Sequence, residues 1–165
     1  MGKYEQQMSD HYRPLIEEHG DSFRAVDWGS GKGQEVRFQV LSEVADLTNS
    51  SVLDVGCGIG HFVDSLAEGG FTADYLGIDF LPEMVEVARR RHPDRCFKVA
   101  DIVEDGGTCR ADYVVGSGLF TFGDRNVFEA IVRAMFAACE KATAFNCLSG
   151  WAPDKEPGEF HADPL

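Results

Sequence analysis

One stretch of this 165-residue chain restricts the possible folds more than any other: "SVLDVGCGIGHF" at residues 51–62. An apolar run at 52–55 is followed by Gly56, Gly58 and Gly60, and then by a helical pattern. Glycine permits tight turns and lets a ligand approach the main chain without a Cβ in the way. A strand, a glycine turn and a helix in this order predict a βα unit with a ligand site at the turn.

The pattern after residue 51 alternates short apolar runs with helical periods. Strands are predicted at 52–55, 75–78, 96–99, 113–115 and 143–148, and helices at 61–68, from 82 through "EMVEVARRR", and across "RNVFEAIVRAMFAACEK". Two further helices, at 4–18 and 34–47, precede them. This predicts an α/β fold: a doubly wound, mostly parallel, Rossmann-like sheet of about five strands with helices on both faces and an N-terminal helical segment.

The length suits a single domain, which we divide into a helical cap (1–50), a cofactor-binding core (51–149) and a tail (150–165). The net charge of -13 argues against a nucleic-acid partner. Five cysteines without a C-x-x-C pair, and histidines without ligand spacing, predict neither a disulfide framework nor a metal site. The apolar stretches are too short to cross a bilayer, so we expect no membrane partner and a cytoplasmic location.

The acidic residues around the glycine turn indicate the kind of ligand. Asp79 ends the second predicted strand and can accept hydrogen bonds from both hydroxyls of an adenosine ribose. A dinucleotide fingerprint needs a third glycine where this chain has His61, which disfavours a pyrophosphate. Asp54 adds negative charge, which suits a ligand that carries an ammonium or a sulfonium. The pattern therefore favours a cationic adenosine derivative.

These residues resemble the first motif of the class I S-adenosylmethionine-dependent methyltransferases. The likeness extends roughly over residues 34–151, with "YLGIDFLPEMVEVARRR", "FKVADI" and "ADYVVGSGLFTF" as the second to fourth motifs. It implies S-adenosyl-L-methionine as cofactor and S-adenosyl-L-homocysteine as product. By the same resemblance Gly56 and Gly58 would line the methionine and ribose, and Asp79 would bind the ribose diol. Phe80 and Met84 would pack on the adenine ring, while Asp101 would bind the adenine amino group with the Ile102 main chain beside it. Gly116 and Ser117 would contact the amino-acid end.

The N-terminal segment resembles a narrower bacterial subgroup of unassigned substrate that carries "AVDWGS" ahead of the glycine turn. Arg37 is able to clamp a methionine carboxylate with two parallel hydrogen bonds, or alternatively to form a surface ion pair with Glu35 or Glu43. Trp28 is either a lid over the cofactor or a core aromatic residue.

The methyl acceptor leaves a weaker signature in the sequence. Methyl transfer from a sulfonium depends mainly on alignment of the acceptor, so no catalytic residue is predicted. Several side chains have two open interpretations. Tyr4, His11 and Tyr12 either cover the acceptor or are only surface or packing residues, and Phe120 and Phe122 form acceptor walls or core. His11, His61 and Asp124 are candidate bases.

The end of the chain departs from the family. Seven strands are usual, with a final antiparallel hairpin, whereas five are predicted here, so we expect a fragment, a natural truncation or an edge covered by another subunit. We predict that the tail at 150–165 folds over that edge or that a homodimer covers it. The leading function is methyl transfer to a small molecule; the alternatives are a non-catalytic module that binds S-adenosylmethionine or S-adenosylhomocysteine and, less favoured, a nicotinamide-dependent oxidoreductase.

Overall fold

The computed structural model describes residues 2–70, 74–105 and 108–163. Five parallel strands form the central sheet, in the order β3-β2-β1-β4-β5. They are β1 (Val52–Val55), β2 (Tyr75–Asp79), β3 (Cys96–Val99), β4 (Ala111–Gly116) and β5 (Cys139–Phe145). The strand order reverses between β1 and β4, and in open parallel sheets ligands bind beyond the carboxyl ends of the strands at such a point. The predicted fold class is confirmed.

Helices cover both faces of the sheet and bury two large clusters of apolar side chains. They are α1 (Gly2–His19), a 3₁₀ helix (Phe23–Val26), α2 (Gly31–Ser42), α3 (His61–Glu68), α4 (Pro82–Arg91), α5 (Ile102–Asp105) and α6 (Arg125–Ala138). Local chemistry sets several of their ends. Pro82 opens α4, where its missing N–H costs nothing, and the Asp124 carboxylate accepts from two N–H groups in the first turn of α6.

The last predicted strand was wrong in position, and two helices differ from the sequence pattern. Strand β5 covers 139–145 rather than 143–148, because α6 ends at Ala138 and not at 141. The start of β5 pairs with β4, and two ion pairs, Arg110 with Glu140 and Lys141 with Asp112, lie beside this pairing. Helix α2 begins and ends earlier than the predicted 34–47, since the Ser30 hydroxyl caps its first turn. The short helix α5 was not predicted.

Among the described residues, the C-terminal tail adds no strand to the outer side of β5. A small parallel pair forms instead between β6 (Leu148–Ser149) and β7 (His161–Ala162). The Phe160 N–H donates to the Thr121 carbonyl (2.8 Å), and the Phe160 ring lies 5.3 Å from that of Phe128. The tail therefore folds toward the carboxyl ends of the strands, and among the described residues β5 has a strand partner on one side only.

Three positions of the predicted cap and tail, 1, 164 and 165, lie outside the described residues. Among the residues that are described, no helix combines the length and the apolar character needed to cross a membrane.

Candidate functional site

A cavity of about 290 Å³ opens at the carboxyl ends of β1, β2 and β4. Its walls come from the glycine turn, from the turns after β2, β3 and β4, from α1 and α2, and from the C-terminal segment. Gly116 lies at the end of β4 and is the one predicted cofactor residue that is not part of the wall. The predicted residues in the wall are Trp28, Arg37, Asp54, Gly56, Gly58, Asp79, Phe80, Met84, Asp101, Ile102 and Ser117.

The glycines make room for side chains of the protein itself. Gly56 has φ +65°, and a Cβ there would collide with the side chain of Leu119; a Cβ at Gly116 would meet the same side chain. Gly58 has φ +53°, and its Cβ position lies 3.0 Å from Val26. The sequence pattern predicts that the missing Cβ atoms of these glycines leave room for a ligand. They also let the loop after β4 and the 3₁₀ helix pack against the turn.

Asp79 is fixed by two backbone donors. Its Oδ2 accepts from the Gly58 N–H (3.0 Å) and its Oδ1 from the Leu81 N–H (2.9 Å). Burial raises the pKa of this carboxyl to about 6, and the two hydrogen bonds oppose that shift. A carboxylate oxygen accepts more than one hydrogen bond, so each oxygen keeps capacity for a ligand hydroxyl.

Asp54 lies deeper, at the end of β1, and accepts a hydrogen bond from the Tyr75 hydroxyl (2.7 Å). Burial raises its pKa to about 7, the Tyr75 bond opposes the shift, and the nearby Asp79 adds to it. Two buried carboxyls thus share one end of the cavity with no cation beside either of them among their described contacts. A positively charged ligand would favour their ionised forms.

Asp101 has one oxygen occupied and one free. Its Oδ1 accepts from the Val103 N–H (2.7 Å), which is the local turn role expected of an acid after a strand. Its Oδ2 is buried and accepts no hydrogen bond from the described residues. The carboxyl of Glu5 lies nearby, and the pKa of Glu5 is raised by burial and then by Asp101. A buried oxygen in a cavity wall without a donor is suited to a ligand N–H.

The wall opposite the glycine turn contains Trp28 and Arg37. The Arg37 guanidinium lies 4.7 Å from the centre of the Trp28 ring, in a cation–π contact. The Trp28 ring approaches Phe38 at 6.3 Å and lies over Gly118. Neither Glu35 nor Glu43 pairs with Arg37 among the described ion pairs.

His61 joins the cap to the core and is not free to act as a base. Its Nε2 faces the Asp21 carbonyl (3.2 Å), which can only accept, so Nε2 carries the proton. Its Nδ1 then accepts from the Gln34 amide (3.2 Å). Burial lowers the pKa of His61, which keeps the ring neutral in this arrangement. The buried Gln34 was not singled out from the sequence.

The other candidate bases are likewise engaged. His11 Nε2 lies 2.8 Å from Asp27 Oδ2, and its ring packs 4.7 Å from that of Phe122. Asp124 caps α6. Phe120 is 2% exposed and belongs to the core, whereas Phe122 is half-buried.

Helix α1 supplies Tyr4, Met8 and Tyr12 to the cavity wall. The Tyr4 hydroxyl donates to the Leu119 carbonyl (3.1 Å), and burial raises the pKa of both tyrosines. Both tyrosines also pack against the apolar clusters, as the packing alternative predicts, and a role over the acceptor stays a prediction.

The sequence analysis missed residues that come from the end of the chain. Asn146 bonds to the loop after β4, and Leu148 and Glu159 line the cavity. Asn146 was detectable in principle, because a polar residue directly after a strand is the signal that identified Asp79. The last strand was predicted at 143–148, so Asn146 was placed within the strand and was not recognised as a residue at its end.

The switch-point cavity and its acidic wall define a Rossmann-like domain for a nucleoside-type ligand. The family described as a methyltransferase domain matches residues 52–142, which is more than half of the chain. The chain belongs to this family, as the sequence resemblance predicted.

Individual relatives agree with that assignment. A Mycobacterium tuberculosis protein named as a methyltransferase is 35% identical over 124 residues, which cover 69% of this chain and 74% of that protein. The magnesium-protoporphyrin O-methyltransferase of Rhodobacter capsulatus is 32% identical over 109 residues, or 62% of this chain but only 42% of its own length. The structure of magnesium protoporphyrin IX methyltransferase from Synechocystis, which holds S-adenosylhomocysteine, superposes with a TM-score of 0.69 at 16% identity, covering 99% of this chain and 81% of that one.

Proposed function

We propose that this protein is an S-adenosylmethionine-dependent methyltransferase that acts on a small-molecule acceptor. The observation that carries the proposal is that Asp54, Asp79 and Asp101 line one cavity of a methyltransferase-family domain. Asp79 is held with spare acceptor capacity, Asp101 has a buried oxygen without a donor, and Asp54 is buried without a cation. An adenosine with a positively charged tail supplies the matching groups.

The proposed roles follow from where each group lies. Asp79 takes the ribose hydroxyls, Asp101 Oδ2 takes the adenine amino group, and Phe80, Met84 and Ile102 enclose the ring. Gly56, Gly58 and Ser117 surround the amino-acid end, and Gly116, behind the wall, supports the loop that carries Ser117. When bound, the sulfonium supplies an already activated methyl group for in-line displacement, so the protein mainly has to align the acceptor and exclude water. The engagement of His11, His61 and Asp124 in structural bonds agrees with a reaction that needs no dedicated base.

The cap is proposed to close over the methionine end. Arg37 is exposed and stacks on Trp28 at the cavity rim, where a short rotation of its side chain brings the guanidinium to a carboxylate. We expect protease cleavage within residues 24–34 to slow when S-adenosylhomocysteine is added. Equal cleavage rates with and without the ligand would contradict closure.

A small-molecule acceptor is supported by the remaining cavity wall. Beyond the proposed cofactor positions the wall includes Met8, Tyr12, Thr121, Leu148 and Glu159, and the cavity of about 290 Å³ is of a size that suits small molecules. The net charge of -13 disfavours nucleic acid. The protoporphyrin methyltransferase named among the relatives acts on a small molecule, in line with this reading.

Calorimetric titration with S-adenosylhomocysteine and with NAD tests the proposal. We expect S-adenosylhomocysteine to bind and NAD not to bind, because His61 stands where a pyrophosphate site needs glycine. Binding of NAD alone would replace the proposal with an oxidoreductase. Release of S-adenosylhomocysteine from S-adenosylmethionine with a panel of phenol, amine and carboxylate acceptors then separates an enzyme from a non-catalytic binding module.

A homodimer through the outer side of β5 remains a proposal. That side has no strand partner among the described residues, and Phe136 near the start of β5 is 69% exposed. Light scattering at several concentrations is expected to show a dimer. A monomer at all concentrations would mean that the charged Glu140 and Lys141 are enough to protect the edge.

A further inference from the structure

Asn146 lies directly after β5 and bonds to three consecutive residues of the loop after β4. Its N–H donates to the Gly116 carbonyl (3.3 Å), its Oδ1 accepts from the Gly118 N–H (3.1 Å), and its Nδ2 donates to the Ser117 hydroxyl oxygen (2.9 Å). The residues matched by the methyltransferase family end at 142, so this asparagine lies outside the matched region.

The chemistry of these bonds fixes the direction of each one. A backbone N–H can only donate, so the amide atom that faces Gly118 has to be the oxygen. The amide nitrogen then faces Ser117, and because that nitrogen only donates, the Ser117 oxygen has to accept. The hydroxyl proton of Ser117 is consequently left for another acceptor. Ser117 is half-buried and lines the cavity.

We propose that Asn146 is a positioning residue that makes Ser117 a hydrogen-bond donor toward the carboxylate of the cofactor's amino-acid end. This inference rests on the proposed function. It specifies the direction of one hydrogen bond in the site. Because the Asn146 amide orients the Ser117 hydroxyl, that hydroxyl donates to an anionic acceptor of the ligand and does not accept from a ligand donor. Asn146 itself acts on the ligand only through this serine and through the backbone of Gly118.

Asn146→Asp separates this role from mere support of the loop. The aspartate keeps both geometric contacts, since one oxygen accepts from the Gly118 N–H and the other faces Ser117. The second oxygen accepts, however, so Ser117 has to turn its proton away from the cavity. If Asn146 only holds the loop, the variant retains wild-type binding; if it orients Ser117, the variant loses the hydrogen bond to the carboxylate.

The experiment measures the affinity of S-adenosylhomocysteine and of 5′-methylthioadenosine, which lacks the amino-acid end. We expect Ser117→Ala and Asn146→Asp each to weaken S-adenosylhomocysteine about tenfold, and methylthioadenosine by less than about twofold. The negative charge of Asn146→Asp is a second possible cause of such a loss, because it repels a carboxylate. The double variant, Ser117→Ala with Asn146→Asp, separates this repulsion from an effect that acts through Ser117. With Ser117 already absent, Asn146→Asp is expected to add less than about twofold. Asn126→Asp, an exposed asparagine in the first turn of α6, controls for net charge.

Three outcomes overturn the inference while leaving the proposed function intact. They are wild-type S-adenosylhomocysteine affinity in Asn146→Asp, additive losses in the double variant, and equal losses for the two ligands. Should Asn146→Asp fail to fold, unchanged affinity in Ser117→Ala is still decisive against it. A wild-type protein that binds neither ligand overturns the proposed function and this inference together.

Discussion

The two halves of the cavity are held together in different ways. At the ends of β1 and β2 the site groups bond to one another over short distances in the sequence: Gly58 and Leu81 donate to Asp79, which is 21 and two residues away. At the end of β4 the loop is held by distant parts of the chain. Tyr4 reaches the Leu119 carbonyl across 115 residues, and Asn146 reaches Gly118 across 28.

The difference indicates which half of the cavity forms only when the rest of the chain has folded. The proposed adenosine half is formed once β1, β2 and β3 are paired, because its donors and acceptors lie at the ends of those strands. The proposed amino-acid half forms only when the N-terminal helix and the C-terminal segment have both docked on the loop after β4. Substitutions within each half are therefore expected to have different signatures in stability and in binding.

The contact between the two halves is the most sensitive point, and Gly56→Ala tests it. The new Cβ would collide with Leu119 and would also force a non-glycine residue into φ +65°. We expect a loss of about 3 kcal/mol or more in the free energy of unfolding, measured by urea denaturation.

Two further variants separate the causes of that loss. Gly70→Ala has φ +80° with nothing within 4 Å, so it reports the backbone strain alone, about 1 kcal/mol. Adding Leu119→Ala to Gly56→Ala is expected to recover part of the loss, since it removes the collision. No recovery would show that the two halves do not meet at this glycine.

Asp79→Ala tests the locally determined half. It removes the acceptor of two backbone N–H groups and of the proposed ribose hydroxyls, so we expect S-adenosylhomocysteine to bind about 2 kcal/mol more weakly by calorimetry. Thermal stability is expected to fall as well. The exposed Asp74, just before β2, provides the control, since Asp74→Ala leaves the cavity unchanged. Wild-type affinity in Asp79→Ala would remove this residue from the proposed site.

The buried carboxyls of the same half predict how stability depends on pH. The pKa values of about 7 for Asp54 and about 6 for Asp79 exceed that of an unfolded aspartate, so the folded protein binds more protons between about pH 4 and pH 7. Their contribution to stability is therefore present at low pH and is lost as the pH rises through 6 and 7. The lowered pKa of His61 acts in the opposite direction below about pH 6.5.

Asp54→Asn isolates that contribution. The amide oxygen still accepts from the Tyr75 hydroxyl but does not titrate, so the fall in unfolding free energy between pH 5 and pH 8 is expected to be smaller than in the wild type. Identical pH profiles for the two proteins would contradict the raised pKa of Asp54.

Tyr4→Phe tests the half that depends on distant contacts, with the smallest expected effect. The change removes the hydrogen bond to the Leu119 carbonyl, which is worth about 1 kcal/mol of stability. Hydrogen exchange is expected to rise in residues 117–121 and not in the turn after β1. Faster exchange in both turns would show that the two halves open as one unit.

Much of the fold was predictable because its signals are local. Four strands, and the helices that follow β1, β2 and β4, could be placed from short apolar runs, from Gly56 and Gly60, and from Pro82. Strand β5 could not be placed, because Ala138 and Cys139 continue the helical pattern of α6. Its start pairs with β4, at Cys139 opposite Ala111, and this long-range pairing is not visible in any local pattern.

The sequence by itself determined the family, the sheet and the three acids of the cavity wall, because each acid lies near the end of a strand that the pattern marks: Asp54 within β1, Asp79 at the end of β2 and Asp101 two residues after β3. Only the tertiary structure decided what surrounds them. It decided that Leu119 and Val26 fill the space above the glycines, that Arg37 stacks on Trp28, and that Asn146 orients Ser117. The reason is physical: those contacts join residues 9 to 63 positions apart, and side-chain directions across such separations are set by packing of the whole chain and not by local periodicity.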